Sequence, residues 1–340
     1  ADGLRLIGGC AADEILKWNA TSSVWYCASD SVGAASNATI AGSGVATQIA
    51  FFTGSTSISG SNNLWWDNTS GNLGIGTSGP TAKLEIVGSA DTEQFVIKAN
   101  ATQSNTNPLI QLQSSTGTPL LSITSDNETN MFMGYGAGSA NTYGSATSGG
   151  SNTFIGYLAG SSNTAGYQNT ALGTNTLSKN TTGGDDTAIG FQSLWSNTTG
   201  YRNTALGNYS LWLNTTGYDN TAIGFQSLWS NTTGYDNTAI GLNSLFNNTT
   251  GQNNTGVGYY AGMNNQTGEG NVFIGYYAGD GAARSASDYN IAIGYLSGHS
   301  LSNNSSSNIF LGYQAGYNET GSNTLYIDNN SSPAGTAFIY

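Results

Sequence analysis

Between Ser151 and Gly316, apolar and polar residues recur on one short, fixed period. The unit reads Asn, a β-branched residue, a small or aromatic residue, an aliphatic residue and Gly, as in Asn220–Gly224 and Asn237–Gly241. Its glycines are Gly156, Gly173, Gly190, Gly207, Gly224, Gly241, Gly258, Gly275, Gly294 and Gly312, spaced by 17 residues seven times and then by 19 and 18. A period this short predicts an all-β fold, a parallel β-roll or β-solenoid of about ten 17-residue coils. Alternation within the unit, rich in Thr, Val and Ile, predicts one short strand per coil and no helix. The residue before each glycine (Ile155, Leu172, Ile189, Leu206, Ile223, Ile240, Val257, Ile274, Ile293, Leu311) is always aliphatic, and these ten are read as a continuous interior ladder. Ser-Leu pairs at Ser193-Leu194, Ser210-Leu211, Ser227-Leu228 and Ser244-Leu245 predict a second strand and a second buried column. Asn-Thr-Thr-Gly runs, such as Asn197–Gly200 and Asn214–Gly217, are expected to turn the corners, since Asn and Gly tolerate left-handed backbone.

Three columns carry candidate chemistry. Asn152, Asn169, Asn203, Asn220, Asn237, Asn254, Asn271, Asn290 and Asn308 open successive strands, with Asp186 as the exception. Stacked amides can bond along the axis, so a structural spine is favoured over a sugar-reading surface. Trp195, Trp212, Trp229 and Phe246 fall in one column, read either as packing against a neighbouring chain or as a platform for surface glycans. Asn180, Asn197, Asn214 and Asn231 begin sequons; in a source with the transferase they would carry a row of glycans, although the same residues are favoured turn chemistry without any sugar.

The remainder of the chain divides by composition. Residues 1–40 hold the only two cysteines, Cys10 and Cys27, around two short apolar runs. A disulfide between them would stabilise so small a unit by about 3 kcal/mol and would place it in an oxidising compartment; two free structural thiols are the alternative. Residues 41–76 form a Ser/Gly/Thr-rich connector, and residues 77–130 a small β domain of four strands (Lys83–Val87, Gln94–Lys98, Leu109–Gln113, Leu120–Thr124). The roll occupies 131–316. In 317–340 the repeat dissolves into apolar strands, with Phe338, Ile339 and Tyr340 as a candidate joint between subunits. The start at Ala1-Asp2-Gly3, without Met, reads as a processed N-terminus.

Charge narrows the function classes. Seven basic residues against nineteen acidic ones give a net charge of −12 in 340 residues, which argues against nucleic acid and anionic lipid as partners. No run of 18 apolar residues is present, so no helical membrane span is expected. Gly74-Ile75-Gly76 is not followed by a helical pattern and is a poor phosphate loop. Asp185, Asp219 and Asp236 share a turn column with Arg202, an exposed corner and not a cleft with one carboxyl raised by burial. His299 has no nucleophile or metal partner in the pattern. No enzyme, metal or cofactor is expected.

The repeats Asn220–Ser227 and Asn237–Ser244 resemble the head repeats of trimeric autotransporter adhesins of the YadA type. The resemblance covers residues 131 to 316 and implies a β-roll assembled as a homotrimer, with a longer period here than in that family. Cys10–Cys27 and Gly74–Ile86 look like modules of phage tail fibres and bacterial surface fibres. The expected role is a structural subunit of an extracellular fibre or filament with an adhesin-like role, on a cell or virion surface, self-associating as a trimer and end to end. The alternative is a phage tail fibre or tailspike that binds host glycans through the Trp column.

Overall fold

The computed structural model describes residues 14–19, 24–29, 48–52, 58–67, 69–88, 95, 97, 109–117, 119–124, 129–142, 148–281, 287–302 and 304–329. Cys10 and the Phe338–Tyr340 segment, and with them the disulfide and the joint expected from the sequence, lie outside these residues. The chain divides into two compact units, Ala1–Lys98 and Ala99–Tyr340. In the first, β1 (Glu14–Asn19) and β2 (Val24–Ser29) form an antiparallel hairpin with Trp18 opposite Trp25. A second sheet of this unit has the order β3 (Gln48–Phe52), β4 (Ile58–Asp67), β5 (Asn72–Ile75), β6 (Leu84–Ile86). The return from β5 to β6 is held by Asn72 Nδ2 donating to the Pro80 carbonyl at 3.0 Å and by Lys83 Nζ donating to the Ser70 carbonyl at 2.6 Å.

The second unit is the roll, a single sheet of 14 strands. It begins with β7 (Ile110–Gln113), β8 (Pro119–Thr124) and β9 (Met131–Met133), with β7–β8 and β8–β9 antiparallel. From β9 through β10 (Thr153–Ile155) to β20 (Leu325–Ile327) every neighbouring pair is parallel and each strand is three residues long. The small four-stranded domain expected over 77–130 is therefore not one unit. Leu84–Ile86 belongs to the first sheet, while β7 and β8 are the opening strands of the roll, which also continues past Gly316 to Ile327.

Each coil gives its backbone donors to its neighbours. Thr153 N–H donates to the Asn169 carbonyl at 2.8 Å, Thr187 N–H to that of Asn203 at 2.8 Å, and Gly173 N–H back to that of Ile155 at 2.9 Å. The strands stop after three residues because the next residue is Gly at φ of +123° to +140° from β9 to β19. A side chain there would be strained, and a Cβ on Gly156 would run into the carbonyl of Gly173 in the next coil.

The strand alternation is as expected, but the faces are reversed. The fully buried residue is the middle one: Phe132, Phe154, Ala171, Ala188, Ala205, Ala222, Ala239, Phe273, Ala292, Phe310. The aliphatic residues read as the interior ladder face outward instead, with Leu172 45%, Ile223 37%, Ile240 38% and Ile293 37% exposed. The Ser-Leu pairs are likewise corrected. Leu177, Leu194, Leu211, Leu228 and Leu245 do form a buried column, but they sit on a turn at φ of +48° to +51°, not on a second strand.

The two inner columns exchange volume across a narrow core. Where the strand supplies Ala (Ala171, Ala188, Ala205, Ala222, Ala239), the residue six positions on is Leu. Where it supplies Phe (Phe132, Phe154, Phe273, Phe310), that position is Gly138, Gly160, Gly279 or Gly316. At each of these glycines an added Cβ would strike the Phe ring of its own coil. Interiors packed to this density penalise both overfilling and voids.

A double-mutant cycle tests this exchange. Ala205→Phe alone should destabilise the roll by about 1–3 kcal/mol through overpacking, and Leu211→Gly alone by about 2–5 kcal/mol through the cavity it leaves. Thermal unfolding of the double variant should show a loss well below the sum of the two. Additive losses would mean that the columns do not share one volume.

Candidate functional site

Two buried asparagine ladders run along the roll. In the first, each side-chain oxygen accepts the backbone N–H of the next residue in the column: Asn169 N–H to Asn152 Oδ1 at 3.0 Å, Asn220 N–H to Asn203 Oδ1 and Asn237 N–H to Asn220 Oδ1 at 3.1 Å. The column continues through Asn254, Asn271 and Asn290 to Asn308. The second ladder consists of the sequon asparagines. Asn180 Nδ2 donates to Asn163 Oδ1 at 2.7 Å, Asn197 Nδ2 to Asn180 Oδ1 at 3.0 Å, and Asn214 and Asn231 Nδ2 each to the preceding asparagine at 2.8 Å.

The ladders meet at the corner glycines. The Gly217 carbonyl accepts from both Asn203 Nδ2 and Asn214 Nδ2 at 3.0 Å, and that of Gly183 from both Asn169 and Asn180 at 2.9 Å. The same double donation recurs at Gly166, Gly234, Gly251 and Gly268. This corrects the expectation of a glycan row. Asn180, Asn197, Asn214 and Asn231 are 0% exposed, and their Nδ2 atoms are committed to interior carbonyls. A sugar on Nδ2 would have to displace both bonds and part the coils. The sequence signal was Asn-Thr-Thr-Gly itself, whose Asn serves the turn from the inside.

The aromatic column is stacked as its spacing suggests. Trp195, Trp212, Trp229 and Phe246 have successive centroid separations of 5.4, 5.1 and 5.1 Å and interplanar angles of 14° or less. Lys179 Nζ lies 3.5 Å from the Trp195 ring centroid, closing that end of the stack. Ring faces within the ladder are thus turned to one another, and a sugar ring, which binds by lying on an aromatic face, meets only edges. A second ladder, Tyr201–Tyr218–Tyr235, stacks at 5.0 and 4.7 Å.

The acidic corner holds one ion pair among the described residues, Arg202 to Asp219 at 3.0 Å, with the guanidinium also over the Tyr201 ring. Asp236 is exposed, and Asp219 is only partly covered. Among the described residues there is no group of three or more His, Cys, Asp or Glu placed to hold a metal ion. His299 stacks on Tyr317 at 4.8 Å, and burial lowers its pKa. Asp280 is pushed up to about 7 by burial.

Sequence reasoning missed the outer uncharged face. It consists of the strand's first residue, the aliphatic residue before Gly, and the residue after Gly, where Phe191, Phe225, Tyr259, Tyr276, Tyr295 and Tyr313 are 38–49% exposed. From Thr153 to Tyr313 these columns contain no charged residue, in a chain of net charge −12. The sign of the pattern could have revealed it, because Ala inside and Ile outside is an unusual choice for a surface with no partner. Compared with known families, curated proteins and solved structures, the chain matches none.

Two outcomes follow from this geometry. Asn214→Ala should cost about 1–3 kcal/mol, since it strips one of the two donors from the Gly217 carbonyl and leaves Asn197 Oδ1 without its partner; chemical unfolding measures it, and a loss under a few tenths would remove the ladder from the account. Titration with host-type oligosaccharides should leave the fluorescence of Trp195, Trp212 and Trp229 unchanged, because their faces are taken; saturable quenching would reinstate the glycan reading.

Proposed function

We propose that the chain is a structural subunit of an extracellular fibre or filament, self-associating through the uncharged outer face of the roll, with an adhesin-like role. The observation that carries the reading is that face. Twelve parallel strands, β9 to β20, at about 4.8 Å each make it roughly 50 Å long, and three columns make it about 10 Å wide, on the order of 500 Å² per copy. The face is uncharged and mixed, its aliphatic and aromatic columns flanked by one that is Thr from Thr153 to Thr255, and exposed apolar columns of this length favour association. A partner of opposite charge would find nothing to pair with there, whereas a second copy meets the same neutral columns without like-charge repulsion. A homotrimer is the assembly implied by the resemblance of the repeats, in which the face of each copy would turn to the threefold axis and contact both neighbours through heterologous contacts that close.

The remaining features suit a load-bearing role better than a catalytic one. Most of the buried asparagine amides are consumed by the ladders, and the exposed carboxylates sit on a corner. End-to-end joining through Phe338–Tyr340 belongs to the same proposal.

Mass measurement of the full chain in solution tests it. The expected result is a species of three times 35.0 kDa that persists on dilution, and a shift to single chains when Ile223→Glu and Ile240→Glu are combined, with the β-sheet circular dichroism retained. A single-chain mass at every concentration would sink the reading. A trimer indifferent to both charges would place the interface on another surface.

A further inference from the structure

One residue departs from the first ladder, and it departs in the chemistry of its side chain. Asp186 stands where the neighbouring coils have Asn169 and Asn203. Its acceptor half is served: Oδ1 accepts the Asn203 N–H at 2.8 Å and Asn203 Nδ2 at 3.1 Å, and Asn197 Nδ2, whose two hydrogens are shared among Asn180 Oδ1, the Gly200 carbonyl and Oδ2, lies 3.0 Å from Oδ2. The donor half is what an aspartate cannot supply. In the neighbouring coils the first-ladder Nδ2 donates to the glycine carbonyl fourteen residues on, as Asn169 does to Gly183 and Asn203 to Gly217. The equivalent carbonyl for Asp186 is that of Gly200, which receives Asn197 Nδ2 at 2.9 Å from the second ladder. An ionised carboxylate there would bring two acceptors together in a site that is 0% exposed.

We propose that the folded roll carries Asp186 as a neutral carboxylic acid at neutral pH, its Oδ2–H donating to the Gly200 carbonyl in place of the missing amide, and that release of this proton loosens the coil. The step is a proton transfer alone: the O–H bond breaks, the pair stays on Oδ2, and the proton goes to solvent as the coil opens. Charges around the site do not oppose this. Asn169, Asn180, Asn197 and Asn203, packed from the adjacent coils and the second ladder, carry none, and among the described residues Asp185 at the neighbouring position is the charged group that bears on it. Burial, the largest influence, holds the Asp186 carboxyl well above its ordinary value; the Asn203 and Asn197 donors pull the other way, and the negative charge of Asp185 adds to the rise.

The direction of the pH dependence follows. With the folded value raised, the native state binds a proton that the unfolded chain has released at any pH between about 4, the ordinary range of Asp, and the raised value. Stability from this group is complete below about pH 4 and falls as pH climbs through that window. The Asp186 coil is therefore tighter in mildly acidic surroundings than in alkaline ones.

Asp186→Asn installs the residue of the flanking coils and tests the idea on the full chain. Infrared spectra at pH 7 should show protonated-carboxyl absorption that Asp186→Asn reduces in the parent and abolishes in an Asp280→Asn background, where the other raised acid is gone. Unfolding of Asp186→Asn at pH 7 should release one proton fewer than the parent. Its melting temperature should match the parent near pH 4 and exceed it increasingly at higher pH. A band untouched by the substitution, an equal proton count, or a pH-independent offset in melting temperature would each overturn the proposal. Failure of Asp186→Asn to fold would do the same, since Asn would then not be able to stand in for the acid.

Discussion

A coil only 17 residues around cannot keep its corner carbonyls in water while it closes on an apolar core. Those carbonyls point inward, and each needs a donor or it costs as much as a strand bond is worth. The paired asparagine amides at the corner glycines meet that need, and much of the remaining structure is arranged around them. The Asn-Thr-Thr-Gly corner places one amide, the residue just before the strand places the other, and the shared period keeps both ladders in step from coil to coil. The low charge content of the chain fits such an interior, whose polar groups are neutral amides able to donate and accept at once.

Packing imposes the second constraint. Between the two inner columns there is room for at most one large side chain per coil, so Phe faces Gly and Leu faces Ala, while the small pairs Gly256–Gly262 and Ala292–Gly298 lie against the Phe273 and Phe310 rings of the next coils. That Leu is held near φ of +50°, a conformation that β-branched residues avoid, which accounts for Leu rather than Ile or Val on that turn. The core thus uses the smaller strand residue and leaves the larger aliphatic one outside. The outer face is consequently a product of the same narrowness, and it is also the surface through which copies of the chain are proposed to meet.

The period, the parallel coils, the corner turns and the first asparagine column were legible in the sequence, because each is a one-dimensional regularity. The facing of the strand was not. Thr-Ala-Ile alternates equally well with Ala inside or outside, and hydrophobicity alone favours burying Ile223 and Ile240. What reverses it is Leu228 and Leu245 arriving from across the core, a pairing visible only once the turn is known to be left-handed. The inward facing of Asn197 and Asn214 was hidden for a related reason, since sequon and corner share the same four letters. The division over 77–130 failed because β7 and β8 lack the repeat signature yet pair with a sheet that has it.

The second ladder does not run the whole length of the roll. Its amides end at Asn265, whose Oδ1 has no hydrogen-bond partner among the described residues, next to the coil that is 19 residues long. Axial tension loads the coil boundaries in series, and at most boundaries between Asn163 and Asn265 two amide columns and the strand bonds share it. Beyond Asn265 hydroxyls take the place of the second set of amides, with Ser287 Oγ donating to the Ser302 carbonyl at 2.9 Å and Ser305 Oγ to that of Thr320 at 2.8 Å. The roll is therefore not uniform along its axis: its N-terminal coils are tied by two amide columns and its C-terminal coils by one amide column and hydroxyls, a graded rod and not an even one.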